Sequence, residues 1–177
     1  MTNGAEVPFV RARLIVGALF VRDEEVLLVH TIYRGEWAIP GGYADPGESP
    51  TAACRRRIRE QLGLDRPPQR LLVHDWASAA GTGDETHYVF DCGALGDEST
   101  IELPPTDIDR YQWVRVDTLD DFMIPGPACR IWHAFRARLE NQPFYLEDGK
   151  TALVHPTTDL ATPAWFDRQR DRDQHLG

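Results

Sequence analysis

Four of the five residues from 55 to 59 are arginines, and the side chains of Glu60 and Gln61 follow them directly. A guanidinium group binds phosphate or carboxylate oxygens through two parallel hydrogen bonds, so this segment is suited to anion recognition. Nucleic acid is the less favoured anion, because a helix would spread these side chains around its axis and the chain carries a net charge of −9. Arg56 and Glu60 are also spaced for a favourable contact along a helix.

The other reactive residue types form no motif of their own. The six histidines show no zinc spacing such as HExxH, and the chain contains no P-loop, GxSxG or GxGxxG motif. His74 and His87 fall on neighbouring predicted strands, where they would either line a substrate cleft or be satisfied within the fold. The three cysteines are widely spaced without a CxxC pair, which favours free buried thiols in a reducing compartment.

The arginine cluster is predicted to lie on a helix that follows a loop rich in glycine and proline, residues 37–47. Ser49 is suited to be the N-cap, Pro50 occupies the first helical position, and Gly63 ends the helix. Residues at helical spacing should face the core. They are Cys54, Ile58 and Leu62.

Apolar segments on both sides of this helix predict strands. They are residues 9–22, 26–33, 71–77, 87–91 and 111–116, with a shorter strand over 100–103. A second amphipathic helix is marked by Ala128, Trp132, Phe135 and Leu139. A hairpin turn is predicted at 147–150. Strands interrupted by one early and one late helix indicate an α/β fold with a sheet between two helices.

The length of 177 residues suits one domain with terminal extensions. We predict an N-terminal extension over 1–8, the domain over 9–155 and a polar tail over 156–177, in which Trp165 and Phe166 dock on the body. A hydrophobic content of 42% is enough for a genuine core. The longest apolar stretch is too short to cross a bilayer, and the N-terminus lacks a secretory pattern. We therefore expect a cytoplasmic protein with no membrane partner.

The spacing from Gly42 to Leu64 resembles the Nudix box, G-x5-E-x7-R-E-U-x-E-E-x-G-U with U aliphatic. The matching residues are Gly42, Glu48, Arg56, Ile58, Glu60, Gly63 and Leu64. The flanking segments 37–42, 46–50 and 111–117 also look typical of this family, and the resemblance covers about residues 12–140. It implies a Nudix-type α/β/α sandwich with a mixed central sheet. It also implies cleavage of a nucleoside diphosphate-linked compound with water as the nucleophile.

The resemblance further implies a Mg²⁺ or Mn²⁺ cofactor, which the family holds with carboxylates at the positions of Arg57, Glu60 and Gln61. Between residues 56 and 61 the family pattern has a net charge of −2, whereas this chain has three arginines and one glutamate, a net charge of +2. A guanidinium roughly 5 Å from a divalent ion, at an effective dielectric of about 20, costs about 6 to 7 kcal/mol unless it swings away. We expect the metal to bind weakly or not at all in the usual place.

Roles for individual residues follow from the same resemblance. Glu48 and Arg56 correspond to an ion pair that ties the glycine loop to the helix, and Asp107 or Asp109 lies where the family often has a further carboxylate or general base. The candidate catalytic residues are Glu60, Arg57, Asp107 and Asp109. The candidate substrate-binding residues are Gly41, Gly42, Arg56, Trp37 and Tyr43. The candidate metal ligands are Glu60 and Gln61.

Two classes of function stay open at this point. The first is a divergent Nudix phosphohydrolase whose metal is held by Glu60 and the substrate, with a site weakened by Arg57 and Gln61. The second is a non-catalytic or repurposed Nudix domain that binds a nucleotide or phosphorylated small metabolite without Mg²⁺. In the second class Arg57 would meet the phosphate in place of the metal, or merely lie on a solvated helix face. The expected partner is a small molecule, and the family's frequent dimers make a homodimer an expectation.

Overall fold

The computed structural model describes residues 11–78, 83–96, 101–104, 107–153 and 161–168. The strands within these residues are β1 Ala12–Leu19, β2 Val21–Arg22, β3 Glu25–Thr31, β4 Glu36–Ala38, β5 Gly41–Tyr43, β6 Arg70–Ala77, β7 Asp84–Asp91, β8 Ile108–Arg115, β9 Phe144–Glu147 and β10 Lys150–Thr151. The helices are α1 Pro50–Leu62 and α2 Pro125–Glu140, and a 3-10 helix spans Val116–Asp121.

The strands form two sheets between the two helices. The larger sheet has the order β10-β9-β6-β7-β1-β5, with parallel pairs β1–β7 and β6–β9 and antiparallel pairs elsewhere. In the smaller sheet β3 pairs antiparallel with β2, β4 and β8. Helix α1 packs on β1 and β5, helix α2 packs on β6, β7 and β9, and each helix belongs to its own buried apolar cluster. The predicted α/β/α sandwich with a mixed sheet is confirmed.

Helix α1 has the predicted ends. The Ser49 Oγ accepts a hydrogen bond from the Ala52 N–H at 3.3 Å, and Pro50 begins the helix. Gly63 takes the left-handed conformation, with φ of 67°, and its N–H donates to the Arg59 carbonyl. The predicted core positions Cys54, Ile58 and Leu62 are fully buried.

Helix α2 and the segment after residue 160 agree with the sequence except at one residue. Leu139 is 53% exposed, because the buried face of α2 continues through Ala134 and Ala137 instead. Trp165 docks on the body as predicted, with an exposure of 2%. Its Nε1 donates to the Val116 carbonyl at 3.1 Å.

The glycine-rich segment 37–47 was expected to be a loop, but it contains β5 and the end of β4. The predicted strand over 9–22 is wrong as a single strand, since β1 and β2 belong to different sheets on either side of Phe20. Phe20 is fully buried, so the apolar run gave no sign of the crossing. The predicted strand over 26–33 ends at Thr31, and 101–103 form no strand.

Several predicted segments lie outside the described residues. They are the extension 1–8, residues 9 and 10, Thr100, and the tail residues 156–160 and 169–177. The boundaries of the domain therefore stay a prediction. Within the part of the chain that the structure describes, no helix is long and apolar enough to cross a membrane.

Candidate functional site

A cleft of about 620 Å³ opens over one face of the larger sheet, at the start of α2. It brings together many of the residues singled out in the sequence. The candidates that line it are Trp37, Gly41, Gly42, Tyr43, Arg57, Gln61 and Asp107. The candidates that do not line it are Arg56, Glu60 and Asp109.

Strand β5 is an edge strand squeezed between β1 and α1, and its glycines make this possible. A Cβ on Gly41 would lie 2.0 Å from the Val16 carbonyl oxygen, so no side chain fits there. A Cβ on Gly42 would lie 3.0 Å from the Arg57 Nε. The two glycines thus let β1 approach from one side and the α1 side chains from the other.

Gln61 pairs with the outer backbone groups of β5. Its Oε1 accepts from the Gly41 N–H at 2.8 Å, and its Nε2 donates to the Gly41 carbonyl at 3.0 Å. The residue is 3% exposed, and its Nε2 also lies 3.5 Å from an Asp107 oxygen. The amide therefore supplies the donor and the acceptor that a further strand would offer. A carboxylate at this position would lack the N–H.

Arg57 makes a similar contact with the backbone two residues further along β5. Its Nη2 and Nε donate to the Tyr43 carbonyl at 3.0 and 3.3 Å, and its Nη1 lies 3.4 Å from a Glu60 oxygen. The side chain is 22% exposed, so it lies against β5 and the cleft instead of extending into solvent. Arg57 and Gln61 together bond to backbone groups of the edge strand β5.

The predicted Glu48–Arg56 ion pair is present. Arg56 donates to the two Glu48 oxygens at 2.9 and 2.7 Å, and it also donates to the Tyr43 carbonyl at 3.3 Å. Hydrogen bonds from Arg56, and then from the Asp45 N–H, lower the pKa of Glu48 to about 2. The pair thus ties the glycine loop to the helix, as expected.

The side chains on α1 do not reproduce the three-carboxylate set that the family uses for magnesium. Glu60 lies between two guanidinium groups, 3.1 Å from Arg56 and 3.4 Å from Arg57. The Gln61 oxygen is occupied by the Gly41 N–H. Among the described residues, no three His, Cys, Asp or Glu side chains are grouped to hold a metal ion. The donor set therefore does not fit a magnesium site of the usual kind.

The two candidate general bases have different surroundings. Asp107 lines the cleft near Gln61. Asp109 lies outside the cleft, where one oxygen is 2.8 Å from the His30 Nδ1 and the other accepts from Arg110. The contact with His30 holds the pKa of Asp109 below its usual value. Of the two, Asp107 is the one placed to meet a ligand in the cleft.

The aromatic candidates both line the cleft, but protein groups already contact their rings. Trp37 packs edge-on against His30 and Phe122, and the Arg110 guanidinium lies 5.4 Å from its ring centroid. The Tyr43 hydroxyl donates to Glu85 at 3.3 Å. These contacts fix the rings as parts of the cleft wall.

The sequence did not single out Glu85 and Arg130, which also line the cleft. Arg130 donates from Nε to the fully buried Asp75 at 2.7 Å. His87 lines the cleft, whereas His74 lies across from Tyr88 on the opposite sheet face and stacks on that ring at 4.5 Å. The alternation along β7 places Glu85 and His87 on one face, which is the signal that was available. No local signal pointed to Arg130.

Comparisons with known proteins agree with this geometry. Residues 11–130 match the family model of the NUDIX domain. The chain is 31% identical over 127 residues to the nucleoside triphosphatase NudI of Escherichia fergusonii, covering 63% of this chain and 88% of the relative.

Solved structures show the same fold at low sequence identity. A UDP-X diphosphatase is similar with a TM-score of 0.63 and 22% identity, over 78% of this chain and 68% of that chain. The Nudix domain of Shewanella oneidensis NrtR, complexed with ADP ribose, has a TM-score of 0.59 and 18% identity, over 74% of this chain and 90% of that chain. With its motif, its α/β/α sandwich and its family match over 11–130, this chain belongs to the Nudix hydrolase superfamily.

Proposed function

We propose that this chain is a divergent Nudix hydrolase that cleaves a nucleoside diphosphate-linked compound with water as the nucleophile, and that Arg57 and Gln61 weaken its metal site. One observation carries the proposal. Glu60, the only carboxylate at the three metal-binding positions of the motif, is paired with two arginines while Gln61 is bonded to the backbone of β5. The substrate class is supported by the relatives, one named a nucleoside triphosphatase and another complexed with ADP ribose.

In this proposal Arg57 meets the diphosphate. Its guanidinium lies at the cleft wall and now donates to a neutral carbonyl, that of Tyr43. A phosphate oxygen is a stronger acceptor because the hydrogen bond is charge-assisted, so a bound diphosphate can recruit the guanidinium. Positive charge placed there stabilises the negative charge that develops as the phosphate bond breaks. Asp107, one of the carboxylates that line the cleft, would take a proton from the attacking water.

A divalent cation in the family helps to neutralise the diphosphate, and a cation near Glu60 would have to displace one of the two arginines. We therefore expect the cleavage rate to reach its maximum only at a high magnesium concentration. The test is a magnesium titration of nucleoside triphosphate and ADP-ribose cleavage by the wild type and by the Arg57→Glu, Gln61→Glu double variant. The double variant should reach half-maximal rate at a magnesium concentration lower by about tenfold or more, because it replaces a positive charge and an amide with carboxylates.

The matched control is Arg59→Glu, which changes the charge of the same helix at a side chain that pairs with Asp65 and is 58% exposed. Its magnesium curve should follow that of the wild type. A wild-type curve that already coincides with that of the double variant would refute the weakened metal site. The absence of cleavage for every compound in the panel would refute the hydrolase assignment.

A second function, ligand binding without cleavage, is favoured by one specific contact. The Arg57 guanidinium lies at the cleft wall and donates to the Tyr43 carbonyl, so the chain itself supplies a cationic donor for phosphate there. A nucleotide could be bound in this cleft as a signal. This function predicts that a nucleotide raises the melting temperature in the presence of EDTA, because a ligand that binds only the folded state stabilises it. Arg57→Glu should abolish the increase.

A further inference from the structure

We infer that the part of the cleft formed by β6, β7 and α2 is a nucleobase subsite. In it, Arg130 and Glu85 recognise a carbonyl oxygen beside a ring N–H, as in guanine or uracil. The inference rests on the proposed function for the nature of the substrate. Its contacts, however, are separate from those of Arg57 and the diphosphate, so that it can be tested without any cleavage.

Arg130 is held in a fixed orientation at the cleft wall. Its Nε donates to one oxygen of Asp75 at 2.7 Å, and the other oxygen accepts from the Gly149 N–H at 3.1 Å. Asp75 is fully buried, whereas the Arg130 side chain is 14% exposed. The Arg130 side chain makes no other hydrogen bond with the described residues, so its two terminal nitrogens are available to a ligand in the cleft.

Glu85 lies on the same face of the larger sheet as Asp75, the carboxylate that pairs with Arg130. The pairing of β6 with β7 sets Asp75 beside His87 and Ala77 beside Glu85, and residues two apart on a strand share a face. The Glu85 carboxylate accepts from the Tyr43 hydroxyl and lies 3.2 Å from the His87 Nε2. The short Ala77 side chain leaves room beside it, and both residues line the cleft.

The charges in this part of the cleft cancel, which favours a neutral polar group over a second phosphate. Arg130 is balanced by Asp75, and Glu85 is balanced by Arg13 at 2.6 Å. Burial, and then the charge of Arg130, lower the pKa of His87 to about 4, so this imidazole is neutral at pH 7. A neutral group with its own donor and acceptor avoids the cost of desolvating another charge here.

The hydrogen-bonding types then select the kind of base. A guanidinium only donates and a carboxylate only accepts, so the ligand must present an acceptor beside a donor. A carbonyl oxygen has two lone pairs for the two terminal nitrogens of Arg130, whereas a ring nitrogen has one. The adjacent N–H of guanine or uracil would donate to Glu85. Apolar side chains complete the walls of the cleft around a flat ring. They are Ile15, Val89, Ile124 and Ile131.

The experiment measures the binding of phosphate-free nucleosides by calorimetry, using guanosine, uridine, adenosine, cytidine and N3-methyluridine. We expect the wild type to bind guanosine and uridine more tightly than the other three, with a difference of about tenfold between uridine and its methylated form, which lacks the N–H. Arg130→Lys keeps a cation beside Asp75 but loses the two terminal nitrogens of the guanidinium. This variant should lose most of the preference. Glu85→Gln should weaken the binding of uridine without affecting the binding of N3-methyluridine.

The matched control is Arg138→Lys, since Arg138 is also on α2 and also pairs with a buried carboxylate, Asp91, but does not line the cleft. This variant should keep the wild-type preference. The subsite is refuted if no nucleoside shows saturable binding, if uridine and N3-methyluridine bind equally, or if the two lysine variants behave alike. A wild type that shows the preference yet cleaves nothing refutes the proposed hydrolysis and leaves the subsite standing.

Discussion

Both helices send long polar side chains onto the larger sheet, but the two helices find different partners there. On α1, Arg57 and Gln61 bond to backbone groups of the edge strand β5. On α2, Arg130 bonds to Asp75 of β6 and Arg138 bonds to Asp91 of β7. Both carboxylates are buried. The first contact joins a side chain to neutral backbone, and the second joins an arginine to a carboxylate that is buried.

This difference explains where the chain can diverge. Backbone carbonyls at a sheet edge accept a hydrogen bond from any donor, so the α1 positions can exchange one donating side chain for another. A buried carboxylate needs its particular cation, because an unpaired charge in the interior is costly. The α1 side of the cleft is thus the region where a change of chemistry is tolerated, while the α2 side is constrained by the fold itself.

The largest effect should come from removing a cation on α2. Arg130→Met leaves the Asp75 carboxylate with only the Gly149 N–H, at a site with no solvent exposure. We expect the free energy of unfolding in urea to fall by about 3 to 5 kcal/mol. The corresponding change on α1, Arg57→Met, should cost only about 0.5 to 1.5 kcal/mol, because it removes a hydrogen bond to a neutral carbonyl.

The double variant Arg130→Met, Asp75→Leu serves as the control for this prediction. It removes both charges together, so it should recover most of the lost stability. Equal losses for Arg130→Met and Arg57→Met would show that the two helices are attached in the same way, and the contrast between them would have to be abandoned.

A smaller effect is expected from Gln61→Glu on α1. The new carboxylate cannot donate to the Gly41 carbonyl, and it would lie at a position that is 3% exposed, close to Asp107. In EDTA we expect a loss of about 1 to 3 kcal/mol in the free energy of unfolding, because a buried acceptor faces an unpaired oxygen. Magnesium should restore part of it. A variant that unfolds like the wild type in EDTA would show that the Gln61–Gly41 bonds contribute nothing.

The sequence was informative where contacts are local. The cap at Ser49, the end at Gly63 and the Glu48–Arg56 pair all lie within one loop and one helix, so spacing alone predicted them. Of the α1 residues that the motif singled out, Arg57 and Gln61 line the cleft, whereas Arg56 and Glu60 do not. Strand β5 was missed because its formation depends on β1 and α1 closing on two glycines, which local propensity reads as a loop.

The α2 side of the cleft shows the opposite case. Glu85 and Arg130 come from β7 and α2, far apart along the chain, and they line the same cleft. The register between β6 and β7 sets Asp75, which binds Arg130, beside His87, two residues from Glu85. Register is specified by the pattern of both strands and by the packing of the whole sheet. Asp75 also gave no sign in the sequence of being a fully buried charge. A motif could therefore indicate one half of this cleft, and the other half required the fold.

The smallest effect is expected for the pair of Glu48 with Arg56, which joins α1 to the loop before it. The Glu48 side chain is 17% exposed, whereas the Asp75 and Asp91 side chains that pair with α2 are 0% and 2% exposed. The pKa of Glu48 is lowered from 4.5 to about 2 in the folded protein, so its contribution to stability is complete above pH 4.5 and is lost as the pH falls towards 2. Urea midpoints of the wild type should thus fall more steeply across this window than those of Glu48→Gln. The urea midpoints of the two proteins should become equal near pH 2, and added salt should reduce the difference between their midpoints at pH 7. A separation that persists unchanged down to pH 2 would mean that the Glu48 side chain acts through its shape and through neutral hydrogen bonds, and that the charge of this pair does not help to hold α1 on its loop.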